Sequence, residues 1–155
     1  MNEITIIIVT IILSAFFSGM EIAFISSNKL KIELDKGKGN IGARIISSFS
    51  RYPARFIGTL LMGNNIALVI YGIAMATLLE PILKAGIPLL ERSESLLLLI
   101  QTVIATLIIL FVAEFLPKVL FRINPNPVLN FFAVPVRIIY FLLYPLVIIF
   151  IGLSE

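Results

Sequence analysis

The chain has no cysteine and no histidine in 155 residues. Without thiols there is no disulfide framework and no thiolate chemistry. Without imidazoles the usual general base and the usual ligand for zinc or copper are missing. There are no paired membrane aspartates and no serine with a visible base, so nucleophilic catalysis lacks its parts and an enzyme is not expected. Charge is scarce too. Only 14% of residues are Asp, Glu, Lys or Arg, against 59% hydrophobic residues and a mean hydropathy of +1.09. That balance is too apolar for a soluble domain of this length and predicts an all-α integral membrane protein.

What is present is a set of long apolar runs. The first, about 4–27, lacks a basic n-region, and its apolar character resumes through Ile22-Ala23-Phe24-Ile25. It therefore reads as a spanning helix rather than a signal peptide. Ser14, Ala15, Ser18, Gly19 and Ala23 give it a small-residue face, which lets helices approach closely in lipid. Glu21 does not fit packing alone. A second run, about 56–79, carries Gly63-Asn64-Asn65, and a third covers about 95–121.

Charges between the runs set the topology. Lys29, Lys31, Lys36, Lys38, Arg44, Arg51 and Arg55 outnumber Glu33 and Asp35, which marks a cytoplasmic loop. Gly37, Gly39 and Gly42 break this loop, and beyond them Ile41, Ile45, Ile46 and Phe49 share a helical face suited to the membrane interface. A basic loop tethered between spans is a poor nucleic-acid site, so lipid is the expected partner and nucleic acid is not. In 80–95, Glu80, Glu91 and Glu94 outnumber Lys84 and Arg92, which places that loop outside. The expected protein is multi-pass in the plasma (inner) membrane, with its N-terminus outside and its C-terminus cytoplasmic.

The third run closes on Val112-Ala113-Glu114-Phe115-Leu116-Pro117-Lys118. A carboxylate at membrane depth costs at least about 2.5 kcal/mol on insertion scales. Pro117 cannot donate to the Ala113 carbonyl, so the helix is weakened and an oxygen is freed beside that anion. A terminal Glu paired with Lys118 one turn on is the plainer explanation. Depth favours a site. Counted from the cytoplasmic ends of their spans, Ser18, Asn64 and Glu114 all fall roughly 10–14 Å deep at 1.5 Å per residue. Three separate stretches thus place their strongly polar groups in one slab. Its oxygens are the Ser18 hydroxyl, the Asn64 and Asn65 carboxamides, the Glu114 carboxylate, with Glu21 as a further candidate, and loosened backbone near Gly19, Gly63 and Ala113. Oxygen ligands select Mg²⁺, Ca²⁺, Mn²⁺ or Na⁺. Interrupted helices that aim carbonyls at a cation are a transporter device, with Gly19, Gly63 and Pro117 as the expected breaks.

Phe17-Ser18-Gly19-Met20-Glu21-Ile22-Ala23-Phe24, Leu61-Met62-Gly63-Asn64-Asn65 and Ala113-Glu114-Phe115-Leu116-Pro117-Lys118 resemble, in order and spacing, the three signatures of the CorC/cyclin M (CNNM) transmembrane domain. Each signature alone is weak; the ordered set is specific and spans essentially the whole of 1–155. The resemblance implies one transmembrane domain of a homodimeric magnesium transporter that exports Mg²⁺ in exchange for Na⁺. It implies a metal site at Ser18, Asn64 or Asn65, and Glu114. Family members continue into cytoplasmic nucleotide-binding CBS domains, whereas this sequence ends at Glu155, so the resemblance assigns no ATP-linked regulation to these residues.

The segment 125–153 is apolar enough for a fourth span, but Pro135, Arg137 and Pro145 interrupt it. The expected architecture is three transmembrane helices per protomer, plus one or two juxtamembrane belt helices on the cytoplasmic side. The rival to a transporter is a membrane anchor or assembly module, which would need small-residue faces but no intramembrane Glu.

Overall fold

Apolar segments of bilayer length fold as helices because lipid offers their backbone groups no other partners. The computed structural model describes residues 2–154, and among these residues it contains helices and no strand. Helix α1 (Glu3–Ser26) opens on Asn2, whose side chain accepts from the Thr5 N–H at 3.2 Å, and runs unbroken through Phe17-Ser18-Gly19. At its other end Lys29 folds back. Its Nζ donates to the Phe24 carbonyl at 2.5 Å and to Ser27 Oγ at 2.6 Å while lying over the Phe24 ring. A helix-end carbonyl is thereby satisfied, and burial pushes the Lys29 ammonium below its usual pKa.

The basic segment is a helical hairpin, α2 (Lys29–Gly37) and α3 (Ile41–Ser50). Each helix is capped by an asparagine: Asn28 accepts from the Lys31 N–H and Asn40 from the Ala43 N–H. Between them Gly39 adopts φ +87°, a backbone conformation that side chains disfavour. The apolar face of α3 is not left at a lipid interface as expected. Ile45, Ile46 and Phe49 are buried in the protein core, and Ile41 alone of that set stays exposed.

Helix α4 (Pro53–Gly86) is longer than the expected 56–79, because Pro81 costs one backbone bond without stopping the helix. The loop between the second and third runs shrinks to a 3₁₀ turn, Pro88–Arg92. The third run is continuous in three parts: α5 (Glu94–Ile109), a π-helical turn Leu110–Phe115, and α6 (Leu116–Ile123). The last segment is one helix, α7 (Pro125–Ser154), with both Pro135 and Pro145 inside it. By length and composition four helices can cross a membrane, α7 among them, so neither the count of three spans nor the belt position follows from these properties.

Two apolar clusters hold the bundle. One joins Met20 and Phe24 of α1, Ile46 and Phe49 of α3, Phe56 and Leu60 of α4, and Leu129 and Val136 of α7. The other joins Ile7, Tyr71, Met75, Ile109 and Ala113. Ser18, Asn64 and Glu114 lie at the seam between them. Helix α7 reaches the first cluster by a route of close contacts. Asn126 exchanges two hydrogen bonds with the Asn28 backbone, at 3.0 and 3.2 Å. Phe132 packs on Phe16 and Phe121, Tyr140 packs on Phe49, and Val147 and Phe150 line a groove with Ala54, Gly58 and Met62. Gly42 permits the approach, since a Cβ there would lie 2.8 Å from the Asn130 carbonyl.

Candidate cation site at the helix crossing

Where α1, α4 and the π turn meet, four polar side chains form a chain. Ser14 Oγ donates to Asn64 Oδ1 at 2.6 Å, and Asn64 Nδ2 donates to Glu114 Oε1 at 2.8 Å. Lys118 Nζ lies 3.4 Å from Glu114 Oε2. Ser14 and Asn64 are buried, whereas the Glu114 side chain keeps 20% of its exposure. The π turn is the local device that aims Glu114. Pro117 has no N–H for the Ala113 carbonyl, and the preceding turn widens so that the Leu116 N–H donates to Phe111, five residues back. The weakened helix expected at Pro117 is therefore present, as a π turn just before it.

Ser18 sits one turn from Ser14 on the same face of α1. It is 1% exposed, and its hydroxyl has no hydrogen-bond partner. Serines and threonines in helices normally bond back to a carbonyl of the preceding turn, as Thr10 does to Ile6 and Thr59 to Arg55. A buried hydroxyl left without a partner costs about 1–3 kcal/mol. Ser18 carries that cost beside the Ser14–Asn64–Glu114 chain.

The structure brings Asn64 and Glu114 into contact, with Ser18 close by on α1. It does not bring Asn65 to them. Asn65 is exposed on another face of α4, where it borders a groove with Leu61, Ile66, Leu146 and Phe150. Glu21 is half-buried and makes no ion pair or hydrogen bond with the described residues, so it stands apart from the network. Gly63 and Gly19 do not interrupt their helices. They are points of close approach: a Cβ on Gly63 would lie 2.5 Å from the Phe17 ring, and one on Gly19 would run into Phe121. Among the three expected breaks, departure from α geometry occurs only ahead of Pro117, at Leu110–Phe115, where Ala113 is fully buried. The residue missed in the sequence is Ser14, read there as part of a packing face. Its signal was the four-residue spacing to Ser18, which stacks the two hydroxyls one turn apart.

Chemically the set offers two hydroxyls, one carboxamide and one carboxylate. Turning the Asn64 amide by half a rotation would point Oδ1 at Glu114. Two acceptors face to face need a cation between them, and the Ser14 hydroxyl can donate or accept and so tolerates either orientation. Among the described residues no three Asp or Glu side chains gather, so this carboxylate works with neutral oxygens.

Comparison with known proteins identifies the family. The cyclin M transmembrane N-terminal domain matches residues 5–155. The UPF0053 inner membrane protein YfjD of Escherichia coli is 30% identical over 140 residues, 87% of this chain and 29% of that protein. A polyamine export protein of Salmonella typhimurium is 29% identical over 159 residues, 100% of this chain and 35% of that protein. A polyamine export protein of Escherichia coli is 34% identical over 73 residues, 47% of this chain and 16% of that protein. The chain thus spans about a third or less of the length of these relatives. With the three signatures in order and the match running almost end to end, the chain belongs to the cyclin M transmembrane domain family.

Proposed function

We propose that this chain is the membrane domain of a cation transporter, with Ser14, Ser18, Asn64 and Glu114 as its site and Mg²⁺ as its cargo, exported in exchange for Na⁺ by alternating access. The observation that carries this reading is Ser18. A buried hydroxyl without a partner, one turn from a serine–asparagine–glutamate chain, is stabilised once a hard cation bridges them. With Asn65 facing elsewhere the oxygens fall short of six, so the ion keeps some water in place of being wholly stripped. A lone carboxylate beside Lys118 holds the ion loosely enough to release it. The π turn ahead of Pro117 is the element that absorbs the motion.

The proposed topology keeps three spans, α1, α4 and α5–α6, with α7 as a belt on the cytoplasmic side. From Asn126 to Phe150 a helix rises about 36 Å. Running down beside α4 from its basic end, it would reach the level of about residue 77. Instead Phe150 lies by Gly58 and Met62, near the end of the bundle where Asn126 meets Asn28, and this supports the belt reading of α7. Homodimerisation and cytoplasmic CBS domains in the whole protein complete the proposal. Because the chain has no native cysteine, single cysteines at Lys38, Gly86 and Gly152 test the topology directly. The one at Gly86 should react with an impermeant thiol reagent in intact cells, and the other two should not. Labelling of the Gly152 position from outside would make α7 a fourth span.

Ser18→Ala tests the site. Removing an orphaned hydroxyl should leave the protein as stable or up to about 1–3 kcal/mol more stable. The same change should weaken Mg²⁺ binding about tenfold, measured by calorimetry on the purified protein. Unchanged Mg²⁺ affinity would sink the role given to Ser18, and no cation binding at all in the parent protein would favour the membrane-anchor alternative. A second reading of the cargo is favoured by the polyamine export proteins among the relatives: an organic polycation.

A further inference from the structure

Between α4 and α5 lies a trough of about 520 Å³, a volume typical of small-molecule sites, and the hydrogen-bond chain of the cation site meets it only at Glu114. Glu114 lies at one end. The walls are otherwise apolar, with Leu68, Ile109 and Leu110 among them. Three polar side chains along the trough each donate one hydrogen to backbone. Tyr71 Oη donates to the Ala105 carbonyl, Gln101 Nε2 to Ala76, and Thr102 Oγ1 to Leu98, at 2.9, 3.3 and 2.7 Å. Besides the second Gln101 N–H and the Thr106 hydroxyl, which can donate or accept, the lining presents lone pairs and one carboxylate, and no Lys or Arg lines it.

A hydrated metal ion gains nothing from apolar walls, and an acyl chain has no use for a carboxylate. A ligand that satisfies both must carry positive N–H donors separated by hydrocarbon. Lys118 already shows the pairing within the chain, an alkylammonium 3.4 Å from Glu114 Oε2. From Glu114 to Thr102 the helix rises about 18 Å, room for an extended aliphatic chain. We propose that this trough binds a linear aliphatic polyammonium. One ammonium sits on Glu114, the next on the acceptor row of Tyr71, Gln101 and Thr102, and the methylenes between them lie against Leu68, Ile109 and Leu110. The proposal rests on the second reading of the cargo and gives it a place.

The test is calorimetry on the purified full chain in lipid nanodiscs, with α,ω-diamines from putrescine to its eight-carbon homologue, and with Mg²⁺ in parallel. Affinity should rise with chain length, by up to about fourfold per methylene buried. Gly72 lines the trough, and a Cβ added there meets nothing within 4 Å, so Gly72→Leu starts in open space and puts its bulk into the trough. This variant should lose at least tenfold in diamine affinity and keep its Mg²⁺ affinity. Thr102→Val, which removes one acceptor at constant size, should lose several-fold on the longer diamines only. Diamine binding that ignores both chain length and Gly72→Leu overturns the proposal. So does a change of oligomeric state in Gly72→Leu with diamine binding intact, which would make the trough an interface between copies. If the parent chain binds Mg²⁺ but no diamine, this inference fails and the magnesium reading stands. If it binds diamines in a Gly72-sensitive way but no Mg²⁺, the reverse holds.

Discussion

Replacing Glu114 with Gln is expected to lower Mg²⁺ affinity at least about 100-fold, the upper end of what loss of a supporting group does at metal sites. Shape is kept and only the charge is lost, so the protein should still fold. It should be as stable or more so, because a carboxylate at membrane depth costs at least about 2.5 kcal/mol and Gln removes most of that. Thermal unfolding separates the two effects. With Mg²⁺ at about 100 times the parent's dissociation constant, the parent protein should gain about 2.7 kcal/mol, and Glu114→Gln no more than about 0.4 kcal/mol. Lys118→Met is the control. Its side chain is 40% exposed and its Nζ lies 3.4 Å from the carboxylate, a pair worth no more than about 1 kcal/mol, so affinity should change by less than about fivefold. Equal damage from both variants, with binding surviving in each, would return Glu114 to the plain role of a salt-bridge partner.

The second large effect separates two neighbours that the sequence could not rank. Asn64→Ala should destabilise the protein by about 2 kcal/mol, because Ser14 loses its acceptor and Glu114 Oε1 its donor in one step. Mg²⁺ affinity should fall more than tenfold. Asn65→Ala, on the exposed face, should stay within about 0.5 kcal/mol in stability and leave Mg²⁺ binding unchanged. That replaces the expectation of Asn65 as a ligand. A binding loss for Asn65→Ala as large as that for Asn64→Ala would show that the ion sits on the other face of α4. Thermal melts and Mg²⁺ titrations of the two variants, side by side, decide it.

The sequence by itself determined that the chain lives in a membrane, because its apolar runs leave the backbone no alternative to helix. It also determined that any cation site here is made of oxygen, since no thiol or imidazole exists to compete. It placed Ser18, Asn64 and Glu114 at one depth, because depth along a helix is a matter of counting residues. Azimuth is not. A span embedded in apolar surroundings has no polar face to fix its rotation, so the faces of Asn64 and Asn65 were settled only when α4 packed against α1. Ser14 entered the site for the same reason: a serine in a small-residue stripe becomes a polar group only once an asparagine comes opposite it. The weakening at Pro117 could be read from its missing N–H, but not that the chain would answer with a π turn aimed at α4. Pro135 and Pro145 show the converse. Each removes a hydrogen bond, yet α7 continues through both, because packing on α1, α3 and α4 outweighs a local loss. Composition decides what a segment can be; tertiary contact decides which way it faces and where it ends.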